Sequence, residues 1–321
     1  MVDQMEEKIQ GFDFEDVRSF SKLLKAYGNI GIQASNLSRA SDILYEMVQD
    51  SNMLRFFSFT SNVASSGLRE VAAQFIRDAR PGIIITTAGA IEEDIMKSLG
   101  SFYLGSFDVD DAKLREEGIN RIGNIFVPNQ RYEEFEAYSI QVLKKLDAEK
   151  KGKPISVREL ITALSEPIKD NGSILKAARD VGAKVFCPAI TDGALGLQLY
   201  FYRQKHHEFI LDQLADTGEF SSTVLSAERT GAIIIGGGIA KHHTIGANLL
   251  RGGLDSAVYI STAQEFDASL SGAFPREAIS WGKIKPASKN VLVNDEASIS
   301  FPLLALSLHE RIQAVDKKKR K

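Results

Sequence analysis

Four short apolar runs, each ending in a turn, constrain what this chain can fold into more than anything else in it. They are Gly82-Ile83-Ile84-Ile85-Thr86-Thr87, Lys184-Val185-Phe186-Cys187-Pro188, Thr230-Gly231-Ala232-Ile233-Ile234-Ile235 and Ala257-Val258-Tyr259-Ile260-Ser261-Thr262. Unbroken β-branched runs of this length are what strands buried on both faces look like. The first turns through Ala88-Gly89-Ala90 into a helical Ile91–Met96, with acids in its first turn. The second leads into Ala189–Gly196, the third into Gly236-Gly237-Gly238, and the fourth into Ala263-Gln264-Glu265. Strands alternating with helices predict an α/β fold, a doubly wound, mainly parallel sheet with helices on both faces. Ligands of such sheets bind at the carboxyl ends of the strands, where these turns collect.

Around that Rossmann-like core, Phe14–Tyr27 and Ala40–Asp50 read as amphipathic helices, Ser58–Asn62 as the end of a strand, Ser65–Glu70 as a helix start and Tyr132–Lys150 as a charged helix. The expected organisation is an N-terminal helical appendage (1–30), one domain (31–312) and a basic tail (313–321) that solubilises and stays disordered. The 321 residues are 44% hydrophobic and 25% charged, and 39 basic against 42 acidic side chains leave a net charge of -3. Nothing in that balance draws the chain to nucleic acid. No apolar run is long enough to cross a bilayer, and the polar, acidic start is unlike a secretory signal, so a cytoplasmic protein is expected. Cys187 is the only cysteine, which excludes an intrachain disulfide or a cysteine zinc cage; no metal site is expected.

The chemistry-bearing residues cluster late in the chain. Lys283, in Ser280-Trp281-Gly282-Lys283, is a candidate nucleophile, because a lysine attacks carbon only as the neutral amine. Gly236-Gly237-Gly238 lets the backbone approach an anionic ligand but lacks the GxGxxG spacing, so a nucleotide turn and a purely structural turn both remain open. His242 and His243 point about 100° apart on a helix, so one at most faces a given site, as a base rather than a metal pair. Glu92, Glu93 and Asp94 either complement a helix dipole or bind ribose hydroxyls or an amine. Asp192 is a turn-former, an N-cap or a ligand contact. Glu277 is the carboxylate best placed to meet a cation near Lys283. His206, His207 and His309 read as solvated or structural.

Taken together, Thr60-Ser61-Asn62, Ser65-Ser66-Gly67, Thr86-Thr87-Ala88-Gly89 with Glu92-Glu93-Asp94, and Gly118-Ile119-Asn120-Arg121-Ile122-Gly123-Asn124 resemble the deoxyhypusine synthase family. So do Pro188–Gly193, Gly236–Gly238 with Lys241-His242-His243, Thr262–Asp267 and Ser280–Lys283, in order, from about Gln33 to Leu304. The resemblance implies an NAD-dependent transferase that oxidises spermidine, carries its aminobutyl group on a lysine as an imine and passes it to a lysine of a translation factor. By the same match Lys283 forms the imine, His242 is the base, Trp281 packs along the polyamine and Glu277 binds an amine. Ser61, Asn62, Thr87, Ala88, Glu93, Asp192, Gly236, Thr262, Ala263, Glu296 and Ala297 fall at NAD-contacting positions, with Glu296 replacing the family's Asp. A homotetramer is implied too.

Two departures bear on the substrate. Leu197 and Leu270 stand where the family pattern has carboxylates that grip amines of spermidine, the second just before Ser271. Each charge-assisted hydrogen bond is worth roughly 1.5–3 kcal/mol, so losing two favours a less charged or more apolar amine. A homospermidine-forming or other small-amine transferase, a non-catalytic NAD-binding paralogue and an NAD-dependent amine dehydrogenase are the alternatives.

Overall fold

The computed structural model describes residues 8–319. The fold is α/β, with a six-stranded, mainly parallel sheet and helices around it. The strand order is Ile284–Val293, Leu254–Ile260, Arg229–Ile235, Met53–Phe59, Ile83–Ile85, Lys184–Phe186. All four expected strands are present, and Met53–Phe59 supplies the one whose end was read at 58–62. Parallel pairings in it include Leu254–Ile260 with Ile284–Val293 and with Arg229–Ile235, and Ile83–Ile85 with Lys184–Phe186.

The chain forms two compact units. Of the described residues, the first comprises 8–58, Asp78–Gly82 and 223–319; the second comprises Phe59–Arg77 and Ile83–Ser222.

In the first unit, Ile32–Gln49 and Ala297–Lys319 pack on the strand Leu254–Ile260. Ser41 and Ser307 share a buried hydrogen bond of 2.9 Å, and Phe57 stacks on Phe301 with centroids 5.9 Å apart. The first helix is Phe20–Ala26, shorter than the expected 14–27. Glu310 of the last helix accepts the N–H groups of Phe20 (3.1 Å) and Ser21 (2.8 Å), partners that a free helix start lacks. Residues 1–7 of the expected appendage lie outside the described residues. The last helix runs to Lys319, so most of the segment read as a disordered tail is helical; 320–321 lie outside the described residues.

The expected structural role of His309 is met by its 2.9 Å contact with Asp78. Ile284–Val293 was not legible as a strand. It carries Pro286 and Lys289, residues tolerated at a sheet edge, and its register slips between Leu254↔Ile284 and Ser256↔Lys289.

In the second unit, Val157–Ser165 and Ile174–Val181 pack on Lys184–Phe186. The 22-residue helix Asn129–Lys150 matches the charged helix read from sequence. The motif 118–124 forms an antiparallel hairpin, Ile119–Ile122 with Ile125–Pro128, extended by Tyr103–Leu104.

Candidate active site

One cavity of the first unit, ≈ 180 Å³, is lined by His242, Leu270, Glu277, Trp281 and Lys283, and by the unforeseen Lys241. Three segments supply these residues, and the strand Leu254–Ile260 adds Tyr259 to the lining. The helix Gly238–Asn248 supplies Lys241 and His242, the loop 268–274 supplies Leu270, and the segment from the helix Pro275–Ser280 to the strand Ile284–Val293 supplies the rest.

Local chemistry fixes that last segment. Pro275 occupies the first helical position, where a missing N–H costs nothing. Gly282 ends the turn at φ 69, a conformation that glycine adopts without strain. Lys283 N–H then donates to Ala278 O (2.9 Å), and Lys283 O accepts from Leu254 N–H (3.0 Å). The side chain of Lys283 leaves this anchored backbone with Nζ 5.3 Å from the Trp281 ring centroid, within cation–π range. Trp281 itself is 63% exposed, a large aromatic face available to a ligand.

The histidine ambiguity is resolved by the helix. His242 is exposed and lines the cavity, whereas burial, and then the neighbouring His242, pull His243 below its ordinary value. The glycine turn is tight and built against the loop. Gly236 and Gly238 have φ of 80 and 60, and a Cβ on Gly237 would come within 2.5 Å of Ser271 Cβ. Ser271 Oγ accepts the Gly238 N–H (2.9 Å), so this hydroxyl holds the turn. Sequence reasoning missed Lys241 because nothing in Gly-Gly-Gly-Ile-Ala-Lys distinguishes a buried lysine from a solvated one. Burial pushes it down to about 8, against the raising effect of Glu277.

Of the other expected contacts in this unit, Thr262 is exposed and Ala263 donates its N–H to Ser261 Oγ (3.1 Å). Glu296 accepts the Ser298 N–H (2.8 Å), which caps the helix that Ala297 begins.

The second unit holds Ser61, Asn62, Thr87, Ala88, Glu93, Asp192 and Leu197. Ser61 precedes the short helix Asn62–Ser65, and Thr87 precedes Ala88–Leu99. The two starts are close, since a Cβ on Gly89 would lie 3.0 Å from Ser61 Cβ. Glu92, Glu93 and Asp94 fall in the second turn of Ala88–Leu99, not the first, so the dipole account does not hold for them.

Their neighbours assign each a separate task. Buried Asp94 accepts Arg69 Nε (2.6 Å), Ser173 Oγ (2.6 Å) and the N–H groups of Ile174 (3.0 Å) and Leu175 (2.9 Å). Glu92 accepts the Leu195 N–H (2.8 Å) and so caps the helix Ala194–Lys205, a task considered for Asp192. Asp192 is exposed in the preceding turn. Leu197 is 58% exposed on that helix.

Among the buried oxygens without hydrogen-bond partners in the described residues of this unit are Thr87 Oγ1 and Glu93 Oε2. Burial, then the Glu92 charge, push Glu93 up from 4.5 to about 8. The folded state therefore holds a proton that the unfolded state releases, and stability falls as pH rises from 4.5 to about 8. Glu93→Gln removes that slope. Its thermal midpoint relative to the parent is expected to climb steadily between pH 5 and pH 8 in calorimetry; a constant offset would show that Glu93 is ionised throughout.

With the geometry in hand, comparison with known proteins gives one answer. The sequence model of the family "Deoxyhypusine synthase" matches residues 22–308. A Halobacterium salinarum protein named "Probable deoxyhypusine synthase" is 45% identical over 306 residues, covering 94% of this chain and 92% of its own. The "Deoxyhypusine synthase" of Senecio vernalis is 39% identical over 324 residues, covering 92% of this chain and 87% of its own. A crystal structure of a candidate deoxyhypusine synthase from Entamoeba histolytica superposes with a TM-score of 0.68 at 27% identity, covering 93% and 96% of the two chains. The motifs that carried the resemblance thus sit within an alignment spanning nearly the whole chain, and the chain belongs to the deoxyhypusine synthase family.

Proposed function

We propose that this protein is an NAD-dependent alkylamine transferase that carries an aminobutyl or similar group from a polyamine, through an imine on Lys283, to an acceptor amine. The observation that carries the reading is the gathering of Lys283, Trp281, Glu277 and His242 around one cavity. A protein with only a scaffolding role has no use for that set.

What supports the cofactor is the chemistry of individual residues. Thr87 Oγ1 and protonated Glu93 offer unpartnered polar atoms of the kind that ribose hydroxyls satisfy. Gly236 and Gly238, at φ 80 and 60, form a turn without side chains whose backbone a ligand can approach closely. Ser61, Asn62, Ala88, Asp192, Thr262, Ala263, Glu296 and Ala297 complete the set by family position. When bound, NAD supplies the hydride acceptor, and later the hydride donor, that amine transfer requires.

The protein's own contribution is to hold and exchange amines. Glu277 binds a cationic end of the donor, and the exposed face of Trp281 lies along its chain and favours its charge. His242 takes the proton from the reacting amine, so that this nitrogen can form a C=N bond. Neutral Lys283 adds to the C=N carbon of the oxidised donor; the C–N bond to the departing amine breaks, and that amine leaves with the proton. The acceptor amine repeats the exchange and frees Lys283. The family reading makes the acceptor a lysine of a translation factor, the assembly a homotetramer and the compartment the cytoplasm; a small diamine acceptor would make homospermidine-like products.

Leu270 on the cavity wall is the observation that favours a changed donor. Leu197→Asp with Leu270→Asp is expected to raise kcat/KM for spermidine by about 10-fold or more, from recovered charge-assisted bonds. Unchanged spermidine use would mean that these leucines are not the specificity switch.

The deciding experiment incubates the purified protein with NAD and single polyamines, traps with borohydride and reads the mass of the Lys283 peptide. An adduct identifies the donor by its mass. Absence of any adduct or NADH signal across the amine panel would overturn the transferase reading in favour of a non-catalytic NAD-binding role.

A further inference from the structure

We propose that Lys241 is a positioning residue for the amine cavity: its ammonium pins the loop 268–274 to the helix Gly238–Asn248 and so fixes the wall against which the donor binds. This rests on reading the cavity as the amine site.

Lys241 is 2% exposed, yet its Nζ lies 3.1 Å from Ser271 O, 2.7 Å from Ala273 O and 4.7 Å from the Tyr259 ring centroid. An ammonium has three N–H donors, and here two carbonyls and one π face receive them. Held against the loop backbone in this way, the nitrogen is engaged by the loop rather than standing free in the cavity. Its charge does structural work instead, because the carbonyls of residues 271 and 273 would otherwise be short of donors.

The loop that it holds is compact and shaped by close approaches. Ala268 adopts φ 56, and a Cβ on Gly272 would come within 1.7 Å of Gln264 O. The N–H groups of Gly272 and Ala273 both donate to Ser269 O at 3.1 Å. Four residues of this loop, Ala268, Leu270, Ala273 and Phe274, line the cavity. Lys241 therefore sets the width of the site through the loop, although its own nitrogen is occupied elsewhere. Glu277, on the helix that follows the loop, is the acid whose charge acts on Lys241.

The test uses the full chain with Lys241→Met, which keeps the apolar stem and removes the donors. Hydrogen exchange followed by mass spectrometry is expected to show amides of 268–274 exchanging about 10-fold faster or more, with 254–260 unchanged, as expected for lost charge-assisted bonds. In steady-state assays with the donor found by trapping, KM should rise about 10-fold while kcat stays within about 3-fold, and Lys241→Arg should recover part of both effects. Unchanged loop exchange would overturn the pin. A fall in kcat with KM and exchange unaltered would overturn it as well, by placing Lys241 in the chemistry.

If Lys241→Met does not fold, Gly237→Ala puts the same question from the other side. Its added Cβ meets Ser271 and pushes the loop away while leaving the ammonium in place. A loosened loop with unchanged KM would then sink the proposal. The exchange arm needs no turnover, so an inactive parent protein would refute the transferase reading while the pin is still decided by exchange alone.

Discussion

Lys283→Ala is expected to abolish amine transfer, by about 10³-fold or more, while the protein stays folded and keeps its cofactor affinity. The proposed covalent step needs a primary amine at that point of the cavity. The other lysine bordering it, Lys241, has its donors committed to two carbonyls and an aromatic face. The fold tolerates the loss, because residue 283 is anchored through its backbone, to Ala278 O and from Leu254 N–H. Alanine keeps both bonds. What disappears from the resting protein is a half-exposed cation–π contact with Trp281, worth about 0.5–1 kcal/mol. Borohydride trapping reads the adduct, a transfer assay reads the rate and thermal unfolding checks integrity. Transfer at the parental rate in a folded Lys283→Ala protein would remove the imine from the mechanism.

The largest stability effect is expected at Asp94, which has no part in the chemistry. Its carboxylate is fully buried against Arg69, itself 2% exposed, and also holds Ser173 Oγ and the first N–H groups of the helix Ile174–Val181. Asp94→Ala strands the guanidinium and uncaps that helix together. Breaking one side of a buried ion pair costs about 3–5 kcal/mol. Asp170 and Glu70 also contact Arg69 and temper the loss. Asp94→Asn, which keeps one acceptor oxygen, should fall between the parent and the alanine variant. Urea denaturation measures both through the midpoint. A loss below about 1 kcal/mol for Asp94→Ala would show that the remaining acids neutralise Arg69 without it.

Those two residues mark the boundary between what could be read directly and what could not. The four strand runs were legible because a strand buried on both faces must be apolar without alternation, and their turns marked the strand ends. The edge strand Ile284–Val293 escaped that logic. An edge strand needs no continuous apolar run and tolerates Pro286 and Lys289. The candidate chemistry was legible as residue types, since Lys283, Trp281 and Glu277 lie within seven positions of one another along the chain. His242 joined them only through the fold.

The acids show the limit most clearly. Glu92, Glu93 and Asp94 are consecutive and chemically alike, yet one caps a helix, one is pushed up by burial with an oxygen left without a partner, and one anchors a buried arginine. No spacing rule separates them, because each fate depends on groups distant in sequence, Leu195 for the first and Arg69 with Ser173 for the third. Lys241 is the same case, since its burial depends on carbonyls about thirty residues downstream. By itself the sequence determined the strand–helix alternation, the family and the inventory of reactive groups, because these are local patterns of polarity and residue type. The tertiary structure alone decided which ionisable groups are desolvated and which are paired, because desolvation and pairing are set by neighbours in space.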